Sequence, residues 1–386
     1  MSIRKNTWNL DAHYDLTKSG QNAYSSAGGP YSLYLTGGGV YGELGQNDII
    51  PRSSPTQVPG TWTSYATMPM SKTISATKSD GTLWVWGMNN NGELGQNNQG
   101  IHRSSPVQVP GTQWSYAAAG GYYCITKKTD GTLWAWGQNA AGNLGVNDAI
   151  PRSSPVQIPG TYWDKVGTSR EQSYVIKTDG TLWSWGYGYG GGQGVNSVVN
   201  RSSPIQVPGT QWSSVVGGYA SGRALKSDGT LWTWGFNASY GHLGMNDVIP
   251  RSSPVQVPGT QWSAIASGNY HTIATKTDGT LWTWGVNTNG DLGQNDRVPR
   301  SSPIQIPGTQ WDSSNLQGHR YGSRCTKTDG TLWAWGLGGY GGEVGNNTSA
   351  IGYSSPIQIP GTQWELGGVG ITTGNNSNMQ FTAFLK

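Results

Sequence analysis

Charge is scarce in this chain: of its 386 residues only 11% are Asp, Glu, Lys or Arg. Cysteine is nearly absent. Cys124 and Cys325 stand alone and far apart, which excludes a disulfide-dense scaffold and reads as two free thiols in a reduced compartment. The five histidines, His13, His102, His242, His271 and His319, share no metal-ligand spacing. No Ser-His-Asp or Cys-His set and no carboxylate pair stands out, so the residues point to no enzyme, no cofactor and no metal. No run approaches the ~18 apolar residues of a membrane span. The opening Met1-Ser-Ile-Arg-Lys-Asn-Thr-Trp8 lacks the apolar core of a signal peptide, so synthesis without export is expected.

Glycine is abundant, with 60 residues, together with 20 Trp and 19 Tyr. Many short strands joined by tight turns fit this composition, and so much aromatic surface argues against disorder. Net charge is +4, but the bases recur at fixed steps. Lys78, Lys128, Lys177, Lys226, Lys276 and Lys327 form one series, and Arg52, Arg103, Arg152, Arg201, Arg251 and Arg300 another. Distributed in this way rather than gathered in a stripe, they argue against nucleic acid as a partner.

Those steps belong to a repeat. Asp-Gly-Thr-Leu-Trp-x-Trp-Gly begins at Asp80, Asp130, Asp179, Asp228, Asp278 and Asp329, 49 to 51 residues apart. Ser-Ser-Pro-x-Gln-(Val/Ile)-Pro-Gly-Thr occurs seven times, from Ser53 to Thr362. Such a period marks a ring or array whose units need neighbours to bury their faces. Within one unit, four strands are expected: 264–267, 272–276, 280–284 and 303–306. Asp278-Gly279 reads as a two-residue hairpin turn with positive φ at both positions. In Leu83-Trp-Val-Trp86 both faces of the strand are apolar, as in a blade sandwiched between two neighbours. The expected fold is all-β, a seven-bladed β-propeller of four-stranded blades over residues 30–386. Leu33-Tyr-Leu-Thr-Gly37 matches the strand after a hairpin turn, and Phe381-Thr-Ala-Phe-Leu-Lys386 the strand before one. The C-terminal inner strands should therefore pair with the N-terminal outer strands in one shared blade, leaving no open edge.

Gly268-Asn-Tyr-His271, Lys276-Thr-Asp-Gly279, Leu281-Trp-Thr-Trp-Gly285 and Asn289-Gly-Asp-Leu-Gly293 resemble the regulator of chromosome condensation repeat. The likeness extends over nearly the whole chain. It implies a seven-bladed propeller and, for His271, a structural hydrogen bond on an inner strand. It implies no single function, since members include an exchange factor for a small GTPase, chromatin binders and bacterial inhibitor proteins. The family's exchange activity uses a wedge inserted in one repeat, for which spacings of 49 to 51 residues leave no room. Its chromatin binders carry a basic tail, whereas here Arg4, Lys5 and Lys18 are diluted by Asp11 and Asp15. The regularity of the copies is similar to that of bacterial and phage versions.

Where the copies differ, binding residues are expected. The region between the two inner strands carries Tyr122, Tyr123, Arg170, Tyr219, Arg223, Arg320 and Tyr321; the region after Trp-Gly carries Tyr187, Tyr189, Tyr240 and Tyr340. Strand direction alternates, so both regions should project from one end of the ring, and Tyr and Arg are typical of binding hot spots. Gly186-Tyr-Gly188-Tyr-Gly-Gly191 matches a dinucleotide fingerprint in spelling, but no helix pattern follows and it reads as a blade loop. The Asn-Asp pairs at Asn47, Asn147, Asn246 and Asn295 read as turns rather than calcium loops.

Residues 1–29 match no repeat and read as an N-terminal arm whose anchor is Trp8, Leu10 and Tyr14. Together these features lead to the expectation of a non-enzymatic interaction module in a virion: a phage structural protein such as a tail fibre or capsid decoration. Other virion proteins would meet the arm, and a protein or glycan, for host recognition, the variable loops. The alternative is a cytoplasmic regulator that binds a GTPase or another protein.

Overall fold

The computed structural model describes residues 31–68, 72–237, 239–319, 321–337, 352–359 and 381–385. Six four-stranded antiparallel sheets and one three-stranded sheet follow one another along the chain. Blade 1 is Ser64–Met68, Thr73–Thr77, Leu83–Gly87 and Arg103–Gln108; blade 2 is Trp114–Ala119, Tyr123–Lys128, Leu133–Gly137 and Arg152–Ile158. Blade 3 is Trp163–Thr168, Gln172–Lys177, Leu182–Gly186 and Arg201–Gln206; blade 4 is Trp212–Gly218, Ser221–Lys226, Leu231–Gly235 and Arg251–Gln256. Blade 5 is Trp262–Ser267, His271–Lys276, Leu281–Gly285 and Arg300–Ile306; blade 6 is Trp311–His319, Gly322–Lys327, Leu332–Gly336 and Tyr353–Ile359. Blade 7 joins the two ends of the chain: Phe381–Leu385 pairs with Leu33–Gly37, which pairs with Arg52–Gln57. Its register sets Leu33 opposite Leu385 and Gly37 opposite Phe381, as the repeat alignment requires. The innermost strand expected for this blade lies outside the described residues.

The repeated phrases are explained by packing. Leu83 and Val85 enter a core with Trp114, Cys124 and Trp136 of blade 2, while Trp86 enters a core with Leu33, Leu35 and Trp62 on the other side. One strand thus serves two inter-blade cores, so neither face of a blade is left to water. Cys124 and Cys325 are buried thiols, each within such a core. The second Trp of each pair also reaches backwards. Trp136 Nε1 donates to Glu93 O at 2.7 Å and Trp185 Nε1 to Asn143 O at 2.8 Å, each crossing to the preceding blade.

The Asp-Gly turn differs from the sequence expectation. Only the glycine has positive φ (Gly279 at 76°), and Gly279 N–H donates to Lys276 O while Lys276 N–H donates to Thr280 O. This is a type I turn followed by a bulge. The reason is the aspartate: Asp278 Oδ1 accepts from both the backbone and the hydroxyl of Thr280 at 3.0 and 2.6 Å. Thr280 Oγ1 in turn receives Trp282 Nε1 at 2.9 Å. Lys276 closes the unit, its ammonium 4.8 and 4.7 Å from the ring centres of Trp262 and Trp282. Asp, Thr, Trp and Lys of the phrase therefore build one capped hairpin, repeated in blades 1 to 6.

At the opposite end, the described loops after Trp-Gly clip the next blade through Asn47, Asn97, Asn147, Asn196, Asn246 and Asn295. Asn147, at φ 66°, donates its N–H to Ser202 O at 2.7 Å and accepts Ser203 Oγ at 3.0 Å. The Asn-Asp pairs are thus turns. The buried polar groups of the inter-blade cores include His271, whose Nε2 lies 2.9 Å from Ser323 Oγ of the next blade. Burial, reinforced by the nearby Arg223 charge, pulls its imidazole down to about 3. A base depressed in this way stabilises the fold above its ordinary value of 6.5 and costs stability as pH falls from there toward 3.

Asp291 acts in the opposite sense. Its carboxylate accepts Asn289 N–H at 3.0 Å, and burial pushes its carboxyl from 3.8 up to about 6. Such a group favours the fold while protonated, and that contribution is lost as pH rises through 6. In blade 2 the same position is Asn143, whose Oδ1 accepts Ala141 N–H, so an amide fits there. Asp291→Asn should therefore match the wild type near pH 4 and gain ~1–3 kcal/mol by pH 7–8, read by denaturant unfolding across pH. Equal gains at both pH values would show that the carboxyl is not perturbed.

Closure makes a second prediction. Deleting residues 381–386 removes the strand beside Leu33–Gly37 and opens an edge. The truncated chain should melt lower and aggregate in light scattering, whereas unchanged melting as a monodisperse species would contradict the shared blade.

Candidate binding face

Because all strand pairings are antiparallel, the connection between first and second strands and that between third and fourth strands open at the same end of every blade. The first connections lie nearer the axis and bond to one another: Gly121 N–H donates to Arg170 O, and Tyr219 N–H to Asn269 O, both at 2.9 Å. Over blades 3 to 5 these loops gather a continuous belt of aromatic rings. Tyr187 stacks on Tyr189 with ring centres 5.8 Å apart, and Tyr189 stacks on Phe236 at 5.6 Å. Phe236 meets the edge of Tyr219 at 6.3 Å, Tyr219 meets Tyr270 at 5.1 Å, and Tyr270 meets Tyr240 at 5.8 Å. Arg170 continues the belt, its guanidinium carbon 5.9 Å from the Tyr219 ring centre and its Nε 3.4 Å from Glu171 Oε1.

Local glycines make this stacking possible. Gly190 has φ 63°, and a Cβ there would come within 2.9 Å of Phe236. The glycine-rich run is indeed a blade loop: a single 3-10 turn, Tyr189–Gly191, presents Tyr189 at 48% exposure, and no α-helix follows. Tyr122 lies half-buried beside the belt; burial pushes its hydroxyl up, with the Arg170 charge opposing.

Two expected binding residues are not on the surface. Tyr123 is fully buried; it donates to Gln172 O at 2.6 Å and accepts Ser173 Oγ at 2.9 Å. Arg223 is fully buried too, donating to Thr272 Oγ1, Ser221 Oγ and His242 O at 2.6, 3.0 and 3.3 Å. Burial lowers its guanidinium to about 10, which leaves it cationic at neutral pH. Both lie inside second strands, not loops, and their side chains tie one blade to the next. They support the face rather than meet a partner. Tyr321 is half-buried on blade 6, away from the belt's three blades. Arg320, Tyr340, Trp8, Leu10 and Tyr14 lie outside the described residues.

Conversely, Phe236 and Tyr270, which stand in the variable regions, and His242 complete the belt although none is among the expected binding residues. His242 packs within 6.0 Å of Phe236 and 5.9 Å of Tyr270, ring centre to ring centre, and burial holds its imidazole well below its usual range. Phe236 had one available signal: it is the only phenylalanine outside Phe381 and Phe384.

Around the belt runs a rim of branched aliphatics. The residues before the Pro-Arg and Asn-Arg steps, Ile50, Ile150, Val199, Ile249 and Val298, are 56–62% exposed. Their backbone is held rigidly. Asp148 Oδ1 accepts Ile150 N–H at 2.9 Å, and Arg152 bridges Asp148 Oδ2 and Ile150 O at 2.6 and 2.7 Å. Among the described residues, no group of three His, Cys, Asp or Glu side chains could hold a metal ion, and no helix is long and apolar enough to cross a membrane.

Comparison with known proteins agrees with this architecture. The Regulator of chromosome condensation (RCC1) repeat matches residues 80–126, 130–166, 228–275 and 278–312, with a second form of the repeat at 262–291. No curated protein matches the chain by sequence. Among solved structures, Prp20p of Saccharomyces cerevisiae, described with its binding to Gsp1p and histones, is 18% identical with a TM-score of 0.78, over 100% of this chain and 96% of that one. The yeast RCC1 (Prp20) bound to Kap60 is 18% identical with a TM-score of 0.78, over 100% and 94%. Human WBSCR16 is 18% identical with a TM-score of 0.75, over 92% and 98%. At that identity the structures speak to fold alone, and the repeat matches carry the assignment: the chain is built from regulator of chromosome condensation repeats and folds as a β-propeller.

Proposed function

We propose that this propeller is a protein-binding module without catalytic activity, and that the loop end over blades 3 to 5 is where a protein partner docks. The observation that carries this is the aromatic belt: stacked Tyr187, Tyr189 and Phe236 joined through Tyr219 to Tyr270 and Arg170. Rigid aromatic rings and arginine bury large area at low entropic cost, and they dominate interface energetics. The likeness to yeast propellers described with Kap60, Gsp1p and histones supports a protein as the ligand. It favours the regulator reading, a chain that binds a GTPase or other protein, over the virion reading. The latter rests on residues 1–29 as a separate arm and on the regularity of the repeats, and no comparison adds to it.

Alanine at Tyr189 or Tyr219 should weaken capture of the partner from a lysate of the source cells by ~1–3 kcal/mol, about tenfold or more. Tyr162, exposed at the hairpin end, serves as control, and Tyr162→Ala should leave capture unchanged. Capture that survives both belt changes and is lost with Tyr162→Ala would place the partner at the wrong end for this reading.

A further inference from the structure

Exposed apolar side chains are distributed very unevenly on this molecule. Of the twelve large hydrophobics exposed among the described residues, eleven stand in connections between third and fourth strands; only Tyr162 lies at the opposite end. Nine of the eleven occupy two adjacent repeat positions, the rim pairs such as Ile49–Ile50, Val198–Val199 and Val248–Ile249, at 49–64% exposure. The fold does not need them there. The turn is held by Asp and Arg, not by the aliphatic tips, and isolated exposed apolar residues would scatter over both ends. An apolar tip repeated in blade after blade at one end marks a surface built to be covered.

We propose that a second copy of this chain covers it, the two rings meeting loop end to loop end. A partner that engages equivalent tips around a ring must itself repeat with the same spacing, and a second copy does so, through the self-complementary contact of a two-fold dimer. At roughly 100 Å² apiece, nine tips offer on the order of 900 Å² per chain, comparable to the ~800 Å² per partner of a stable interface. A lipid plane is the less suitable cover. The arginine beside four of the tips is tied to aspartate at 2.6 Å (Arg52–Asp48, Arg152–Asp148, Arg251–Asp247, Arg300–Asp296), which weakens the pull of those four cations on anionic headgroups. The inference rests on the reading of this end as the binding face and adds a regulation to it: the rim encircles the aromatic belt, so pairing of two copies occludes the belt until another partner displaces one.

The test is sedimentation equilibrium of the full chain, wild type against Ile150→Asp/Val199→Asp/Ile249→Asp. These side chains are 58–62% exposed, so the triple variant should keep its melting temperature. The wild type should convert from monomer to dimer at micromolar concentrations, and the variant's dissociation constant should rise at least ~10-fold. A wild type that stays monomeric overturns the proposal, as does a variant that dimerises as tightly. If the triple variant melts lower, the single Val199→Asp change replaces it under the same criteria. A monomeric wild type that floats with phosphatidylcholine vesicles, and loses flotation with the variant, overturns it in favour of a lipid surface. Belt-dependent capture by a monomeric wild type would sink the dimer and leave the protein-binding reading standing; a rim-dependent dimer whose partner capture ignores the belt would do the reverse.

Discussion

A blade of this protein has two apolar faces and no way to cover either by itself. Leu83 and Val85 point into one inter-blade core and Trp86 into the other, so each sheet is buried only by its neighbours. That constraint makes the ring a single cooperative body, and it accounts for the tryptophan content. Each second Trp fills a core and fastens its indole N–H to a carbonyl of the preceding blade, while each first Trp shares a lysine with the Trp that opens the blade. The shared blade 7 follows from the same requirement, because a ring with an unpaired seam would leave one apolar face and one ladder in water.

The two ends of the ring are built differently as a result. At the hairpin end, Asp, Thr, Lys and the first Trp of the phrase satisfy one another in blades 1 to 6, and little is left over for a ligand. At the loop end the backbone is equally well fastened, by αL asparagines and Asp–Arg pairs, but the side chains it presents are unspent. These are the aromatic belt over three blades and the aliphatic rim around it. Rigid backbone with unsatisfied apolar side chains is the arrangement expected of a docking surface, since ordering costs are met before a partner arrives.

Blade number, strand count and closure were legible in the sequence because repeated phrases report register directly: Phe381–Leu385 falls opposite Leu33–Gly37 as the alignment demands. The hairpin type was not, because Asp278 captures Thr280 and draws the turn into a type I geometry that spelling alone does not show. The aromatic belt was legible in part. Tyr187, Tyr189, Tyr219 and Tyr240 were found from copy-to-copy variation, but so were Tyr123 and Arg223, which lie at the start of a strand and turn toward the next blade. Variation marks both loop tips and strand starts, and a strand's period of two then decides which side chains reach solvent. Phe236 and Tyr270 stand in the same variable regions but are not among the expected binding residues, because their importance lies in a contact between blades, which no single repeat displays.

The central claim is this division between a self-satisfied end and a docking end. Hydrogen–deuterium exchange of the full chain, free and in its native complex, tests it most directly. The account predicts that slowed exchange on binding is confined to the loops carrying Arg170, Tyr189, Tyr219, Phe236 and Tyr270. Protection concentrated instead at the Asp130-Gly131 and Asp179-Gly180 hairpins, with these loops unchanged, would contradict it.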